Sequence, residues 1–281
     1  MRARLDAARP PLPHAARLLR SPIPMLSVLR GARSLLSVLL VGLLWMLMSL
    51  PLRLLVIPGA YLFPSQRFRL VSLFMKAICH GIWACLRLGG AHARRVGRIP
   101  THEPVLVVAN HQSLLDIVQI TLLSEALVPA FVTRSRYKRF VPLVSATMRQ
   151  LGCPIVDPRR DPEGSKAEIR RGVLELPNGL AIFPEGHRSR DGEILPFHTS
   201  GTRTILAERA LPVYLVLNDG AWRVGRLNDL LFRVHWIDAY SEVLGPFTPP
   251  ADPAERTAFV RGLRDKLVEA LARHRSRTQS A

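Results

Sequence analysis

Residues 105–116 read VLVVANHQSLLD, and this stretch decides the fold. Its first five residues form a short apolar run that ends in polar residues, which is typical of a buried β-strand. A helical pattern follows near 113–125. A strand that runs through a polar turn into a helix is the repeating unit of α/β sheets.

The same unit recurs towards the carboxyl terminus. We predict strands at 105–109, 128–133, 154–156, 180–183, 212–217 and 232–237. We predict helices near 113–125, 138–150, 163–176 and 199–210, and a closing amphipathic helix over 253–274. This alternation indicates the α/β class, with a single mixed, largely parallel sheet flanked by helices.

A hydrophobic segment for membrane attachment precedes that sheet. Residues 34–52 contain no charge, and as a helix they would be about 28 Å long, close to a hydrocarbon core of about 30 Å. Residues 54–66 are broken by prolines and are expected to form a re-entrant hairpin or an interfacial turn. Residues 70–88 fit a basic interfacial helix or, alternatively, a core helix. Whether 34–66 spans the membrane once, twice or only enters one leaflet stays open, and a cleaved signal peptide is the rival hypothesis.

The basic residues are concentrated in the same part of the chain. The formal net charge is +18, of which residues 1–100 carry +14 and residues 101–281 only +4. A nucleic-acid-binding domain would carry its basic patch on the folded part, so we expect no nucleic-acid partner. Each Lys or Arg near anionic headgroups gains ~1 kcal/mol, so the pattern indicates a phospholipid membrane as the partner. The seven arginines before residue 34 predict that the folded part lies on the cytoplasmic side.

Two polar clusters follow predicted strands, and the first contains a histidine and an acid. His111 comes directly after the strand at 105–109, and Asp116 lies five residues further on, one turn into the next helix. Such a histidine can accept a proton from a hydroxyl, and the carboxylate can fix the tautomer of its ring. Taken alone, the spacing is more typical of a surface histidine beside a capped helix.

The second cluster follows the strand at 180–183 and reads PEGHRS over residues 184–189. Gly186 permits a ligand to approach the backbone closely, and Arg188 offers a planar fork of donors to a phosphate. A plain turn with a solvated arginine is the alternative for this cluster alone. The two clusters together favour a functional site.

Together these two sequence clusters resemble the motifs of the glycerolipid acyltransferase family. Asn110, His111 and Asp116 match its Asn-His-x4-Asp motif. Residues 183–189 match its Phe-Pro-Glu-Gly-Thr-Arg-Ser motif, except that His187 stands at the threonine position. A third motif, which usually runs from a glycine to an arginine, is shifted here.

In that shifted motif Pro158 precedes Arg159, so either Arg159 acts one place later than usual or Arg160 shares its role.

The resemblance implies that an acyl chain moves from acyl-CoA or acyl carrier protein to the free hydroxyl of lysophosphatidic acid. The product would be phosphatidic acid, an intermediate of phospholipid biosynthesis. His111 would be the general base, and Asp116 would orient it.

The resemblance also implies an acceptor-binding set in which the acid orients one of the arginines. Its members are Arg159, Glu185, Gly186 and Arg188. We expect no cofactor besides the acyl-thioester co-substrate, and no metal, because the three cysteines form no ligand pattern with histidines. The expected partners are the membrane, the lysophospholipid acceptor and the acyl donor.

The predicted organisation has three parts: a basic tail (1–33), membrane-attachment and interfacial helices (34–99) and an α/β catalytic domain (100–281).

Several functions stay open beside the one implied. The acceptor could be another lysolipid, such as a lyso-ornithine lipid, or glycerol 3-phosphate. A membrane-anchored esterase or thioesterase could use the same pair to activate water, and a non-catalytic basic binding protein is the remaining rival.

Overall fold

The computed structural model describes residues 25–135, 142–225 and 227–279, so most of the predicted basic tail lies outside the described residues. The helices are α1 Met25–Pro51, α2 Ile57–Leu62, α3 Arg67–Leu88, α4 Leu115–Leu123, α5 Pro142–Gln150, α6 Pro162–Glu175, α7 Thr199–Glu208, α8 Leu227–Phe232 and α9 Arg256–Gln279. The strands are β1 His92–Val96, β2 Leu106–Ala109, β3 Ala130–Phe131, β4 Thr133–Arg134, β5 Ile155–Val156, β6 Leu180–Ile182, β7 Val213–Asp219 and β8 Asp238–Phe247.

Six strands form one mixed sheet in the order β1-β8-β7-β2-β6-β3. The pairs β1–β8, β7–β2, β2–β6 and β6–β3 are parallel, and only β7–β8 is antiparallel. The short strands β4 and β5 form a separate parallel pair. The predicted fold class is therefore confirmed. Strand β2 is buried along its whole length, as its apolar run predicts.

The prediction of a strand at 232–237 is wrong. Helix α8 ends at Phe232, and a 3-10 helix over Val234–Trp236 follows. Val234 and Ile237 are both fully buried, and residues three apart share one side of a helical turn, so this turn serves their burial. The actual strand, β8, begins one residue later and closes the sheet against β7.

Other boundaries also differ from those predicted. Strand β1 was not predicted, because its sequence HARRV lacks an apolar run; the sheet therefore begins before residue 100, the predicted start of the α/β domain. The apolar run 128–133 divides into β3 and β4, which belong to different sheets. Helix α9 begins at Arg256 instead of 253, since Asp252 accepts the Ala254 amide at 2.8 Å within a preceding turn.

Helices α1 and α3 run antiparallel as a hairpin, because Arg33 near the start of α1 donates to the Leu88 carbonyl at the end of α3 at 3.0 Å. Leu44 of α1 packs directly on Gly81 of α3, where an added Cβ would lie 2.7 Å from the leucine side chain. The buried face of α3 packs on α4, as the core-helix alternative predicts. The hairpin is thereby attached to the sheet.

The outer face of α1 carries exposed apolar side chains at helical spacing. They are Leu36, Leu39, Leu43, Met46 and Leu50, each between 44% and 65% exposed. The helical segments Met25–Leu62 and Pro64–Leu88 are long and apolar enough to cross a membrane by length and composition. A contiguous exposed apolar surface of this kind is unusual on a soluble monomer and indicates an interaction with lipid or protein.

The sheet brings three polar turns to one edge. Strands β2, β6 and β7 are parallel neighbours, so their carboxyl ends meet there. Open α/β sheets bind ligands at this edge, outside the carboxyl ends of the strands. The turns that follow β2 and β6 contain the two sequence clusters.

Candidate active site

Asn110 fixes the start of the turn after β2. Its side-chain Nδ2 donates to the carbonyl of Asn218 at 2.8 Å, and its Oδ1 accepts the Asn218 amide at 2.7 Å. The Asn218 side chain in turn accepts from the Ser241 hydroxyl at 2.8 Å. All three residues are buried, so Asn110 extends the pairing of β2 with β7 into the turn.

The structure brings His111 and Asp116 together. The His111 Nδ1 lies 2.8 Å from the Asp116 Oδ2, and the same oxygen accepts the backbone amides of Gln112 at 2.6 Å and Ser113 at 2.8 Å. Asp116 is only 1% exposed. Because a carboxylate only accepts hydrogen bonds, Nδ1 carries the proton, and Nε2 of the neutral ring has its lone pair available as a base.

The His111 ring is held from one side by an aromatic residue. It stacks on Phe183 with 4.2 Å between ring centroids and 23° between the planes. Phe183 stacks in turn on Phe131. The His111 side chain keeps 17% of its surface exposed, and within the described residues its Nε2 makes no hydrogen bond. The ring is therefore fixed in orientation and accessible to a substrate.

Glu185 joins the second cluster to the first. It is 1% exposed, its Oε1 accepts the His111 amide at 2.9 Å, and its Oε2 accepts the Leu195 amide at 3.2 Å. Among the described residues it forms no ion pair with an arginine, so the prediction that it orients one of the acceptor-binding arginines is wrong. Burial raises the pKa of Glu185 to about 7, and the two backbone hydrogen bonds oppose that rise.

Gly186 makes the tight turn after Glu185. Its φ is +70°, a left-handed conformation that favours glycine. An added Cβ would lie 3.3 Å from the His198 ring, and the Gly186 carbonyl accepts from the Arg134 guanidinium. This contact of Arg134 leaves no pattern in the sequence, since the arginine lies more than fifty positions earlier in the chain.

Arg159 and Arg188 are both exposed at the surface. Arg188 follows the Gly186 turn, and Arg159 lies in the turn between β5 and α6, where the Asp157 carbonyl accepts the Asp161 amide at 2.8 Å. Within the described part of the chain, neither arginine forms an ion pair or a side-chain hydrogen bond. The structure thus assembles His111, Asp116 and Glu185 and leaves the two arginines unpaired.

Metal ligands do not cluster in the part of the chain that the structure describes: it contains no group of three or more His, Cys, Asp or Glu side chains placed to hold an ion. The chemistry that the arrangement supports is proton transfer at Nε2 of His111. A hydroxyl or a water that reaches this atom can lose its proton there while it attacks a carbonyl.

Comparisons with known proteins show which proteins this chain resembles. Residues 93–216 match the family model described as acyltransferase, and this range includes every predicted site residue. The chain is 32% identical over 123 residues to the chloroplastic 1-acyl-sn-glycerol-3-phosphate acyltransferase BAT2 of Brassica napus. This match covers 43% of this chain and 34% of that protein. It is 32% identical over 127 residues to a 1-acyl-sn-glycerol-3-phosphate acyltransferase of Helicobacter pylori, covering 43% of this chain and 50% of that protein. The matches thus span a third to a half of the curated relatives.

A solved structure extends the likeness to the whole fold. The crystal structure of the 1-acyl-sn-glycerophosphate (LPA) acyltransferase PlsC from Thermotoga maritima superposes with a TM-score of 0.62 at 22% identity. The superposition covers 86% of this chain and 98% of that one. At this identity the likeness concerns the fold, and it includes helices beyond the range that matches the family model.

Proposed function

We propose that this chain, whose residues 93–216 match the acyltransferase family model, is a membrane-bound lysophosphatidic acid acyltransferase. It would move an acyl chain from acyl-CoA or acyl carrier protein to the free hydroxyl of lysophosphatidic acid, giving phosphatidic acid. The observation that carries the proposal is the His111–Asp116 pair at 2.8 Å, with Nε2 of the ring free at the carboxyl edge of the sheet.

The proposed reaction needs no nucleophile from the protein. The acceptor hydroxyl loses its proton to Nε2 of His111 as its oxygen attacks the thioester carbonyl. The C–O bond forms, the C–S bond breaks, and the proton passes from the imidazolium to the leaving thiolate. The Asp116 carboxylate stabilises the imidazolium between these steps. General base catalysis of this kind contributes roughly 10²–10⁴-fold.

The acceptor's phosphate would be held by Arg188, by Arg159 and by the backbone at Gly186. Within the described residues no carboxylate pairs with either arginine, so no internal anion competes with a phosphate there. A guanidinium matches phosphate oxygens in a bidentate manner, and such charge-assisted bonds are stronger than neutral ones. The buried Glu185 would act on the backbone of His111 rather than on the substrate.

The hairpin of α1 and α3 would attach the enzyme to the membrane in which its lipid substrates lie. The exposed apolar side chains on the outer face of α1 provide the hydrophobic contact. The arginines of residues 1–33 would bind anionic headgroups and place the catalytic edge on the cytoplasmic side.

An acyl-transfer assay on detergent-purified protein tests the proposal. The assay supplies lysophosphatidic acid with acyl-CoA or with acyl carrier protein, and follows thiol release alongside the lipid product. His111→Ala is the test variant. His102→Ala is the matched control, because the His102 side chain is 72% exposed and lies in a surface loop. We expect phosphatidic acid from the wild type and from His102→Ala, and none from His111→Ala.

The products also separate the competing functions. Thiol release with only free fatty acid would contradict acyl transfer and favour the esterase or thioesterase. Acylation of a lyso-ornithine lipid or of glycerol 3-phosphate, with lysophosphatidic acid untouched, would retain the chemistry and replace the acceptor. Full turnover by His111→Ala would remove the histidine from the mechanism.

A further inference from the structure

Helix α9 lies outside the residues that match the acyltransferase model, yet it contacts the loop beside His111. Two of its arginines, Arg264 and Arg275, point towards residues 189–195, the loop that follows the Gly186 turn. They are eleven residues apart, which is about three helical turns, so they lie on one face of the helix. Their partners are specific atoms of that loop and of the end of β7.

Arg275 holds three groups at once. Its Nη2 donates to the Gly192 carbonyl at 2.9 Å, and its Nε donates to the Asp219 Oδ2 at 3.1 Å. Its Nη1 also pairs with Glu193 at 2.6 Å. Burial raises the pKa of the Asp219 carboxyl, but the hydrogen bonds and charge of Arg275 outweigh this effect, and the net pKa lies below its ordinary value.

Two of these groups, the Gly192 carbonyl and the Asp219 carboxylate, also hold the side chain of Gln112, the residue after His111. The Gln112 Nε2 donates to the Gly192 carbonyl at 3.0 Å and lies 3.4 Å from the Asp219 Oδ1. Gln112 is 1% exposed, and its backbone amide is one of the three donors on Asp116. A continuous path of hydrogen bonds therefore runs from Arg275 to the carboxylate that orients His111.

Arg264 supports the other side of the same turn. It donates to the carbonyls of Ile194 at 2.9 Å and Leu195 at 3.0 Å. The Leu195 amide binds Glu185, which also accepts the His111 amide. Within the same loop the Ser189 amide donates to the His111 carbonyl at 2.7 Å. The loop that α9 holds thus fixes the carbonyl of His111 directly, and it binds Glu185, which fixes the amide.

We propose that α9 is a clamp for the catalytic turn, and that Arg275 is a positioning residue for the His111–Asp116 pair. The inference rests on the proposed acyl transfer. A base contributes fully only when it is held within a few tenths of an ångström of the productive geometry. Loss of the clamp should therefore lower kcat and leave substrate binding nearly unchanged, because the Arg275 guanidinium is already bound to Gly192, Glu193 and Asp219.

The test compares Arg275→Ala and Arg275→Lys with Arg273→Ala, an exposed arginine on the same helix. We expect kcat to fall about 10- to 100-fold in Arg275→Ala, with KM for both substrates within about threefold of the wild type. Arg275→Lys should recover part of the loss, since a lysine can keep one of the bonds. Gln112→Ala should lower kcat similarly, and the double variant should lose little more than either single variant.

Hydrogen exchange read by mass spectrometry separates this proposal from the proposed function. Arg275→Ala should speed exchange in peptides covering 110–116 and 189–195, and leave residues 117–123 of α4 and strand β6 at wild-type rates. If the wild type transfers no acyl chain, the proposed function fails, while the exchange result still decides whether the clamp exists. Unchanged kcat and unchanged exchange in a folded Arg275→Ala would overturn the clamp. If Arg275→Ala does not fold, Arg275→Lys and Gln112→Ala give the same two measurements.

Discussion

The pair His111–Asp116 and the arginines Arg159 and Arg188 are the two halves of the candidate site, and they are built in opposite ways. The carboxylate of the pair is buried and accepts three hydrogen bonds on one oxygen. The arginines are exposed and, within the described residues, have no partner. The chemical group is thus preorganised by the protein, whereas the binding groups are left for a ligand to organise.

This difference has a physical reason. A base must keep one tautomer and one orientation before the substrate arrives, so its surroundings are fixed in advance. A cation that binds a phosphate gains most when no internal carboxylate already neutralises it. Substitutions in the first group should therefore change the rate of the chemical step, and substitutions in the second should change acceptor affinity.

The largest effect is expected from Asp116→Asn. Asparagine keeps the shape of the side chain but loses its negative charge, so the imidazolium that forms when His111 takes up a proton is no longer stabilised. We expect kcat/KM to fall by about 10³-fold, mostly through kcat. The measurement is steady-state acyl transfer with both substrates varied. Asp252→Asn, in the exposed turn before α9, should keep wild-type rates; a similar loss in both variants would contradict a role specific to Asp116.

Glu185→Gln should show the next largest effect, in stability rather than in rate. The pKa of Glu185 is raised to about 7 from an ordinary 4.5, so the folded protein binds a proton more tightly than the unfolded chain. The stabilisation from this proton is full below pH 4.5 and is lost as the pH rises towards 7. Glutamine does not titrate, and it leaves one backbone amide without an acceptor.

The variant should therefore be less stable than the wild type at pH 5. The difference between their free energies of unfolding should be smaller at pH 8, by on the order of 1–3 kcal/mol. Chemical unfolding in detergent at the two pH values gives the comparison. Glu208→Gln, at the exposed end of α7, serves as the control for replacing a glutamate. A gap that stays constant or widens with pH would contradict the raised pKa.

The sequence alone predicts the preorganised half of the site better than the rest. His111 and Asp116 lie five residues apart, so a strand end and one helical turn suffice to bring them together. The alternation of short apolar runs and helical patterns likewise predicts the sheet, because burial on both faces imposes it. Such local and periodic features require no knowledge of distant contacts.

The features that the sequence did not predict depend on backbone atoms or distant partners. Glu185 binds two amides, and no residue type marks an amide as a partner. Arg275 reaches Gly192 from more than eighty positions away. Strand β1 lies at the sheet edge with charged side chains, so its pairing with β8 leaves no apolar pattern to detect.

Arg188→Ala tests the unpaired half of the site. Removing one guanidinium–phosphate contact at an exposed position should raise KM for lysophosphatidic acid about tenfold and leave kcat within about threefold. KM for the acyl donor should not change. Arg209→Ala is the control, because Arg209 is an exposed arginine directly after the end of α7. An equal rise in KM for donor and acceptor would indicate a general electrostatic effect instead of phosphate recognition.

The smallest effect is expected from Arg159→Ala, and it addresses the shifted motif around Pro158. Arg159 and Arg160 are both exposed in the same turn, and within the described residues neither side chain is paired. If the two share the phosphate contact, each single alanine variant should raise the acceptor KM only about threefold, because the neighbour compensates. The double variant should then raise the acceptor KM about tenfold or more, beyond the product of the single effects.

A tenfold rise from Arg159→Ala alone, with none from Arg160→Ala, would instead assign the contact to Arg159 and show that the proline moves the arginine by one place. No change in the double variant would leave Arg188 as the arginine that recognises the phosphate.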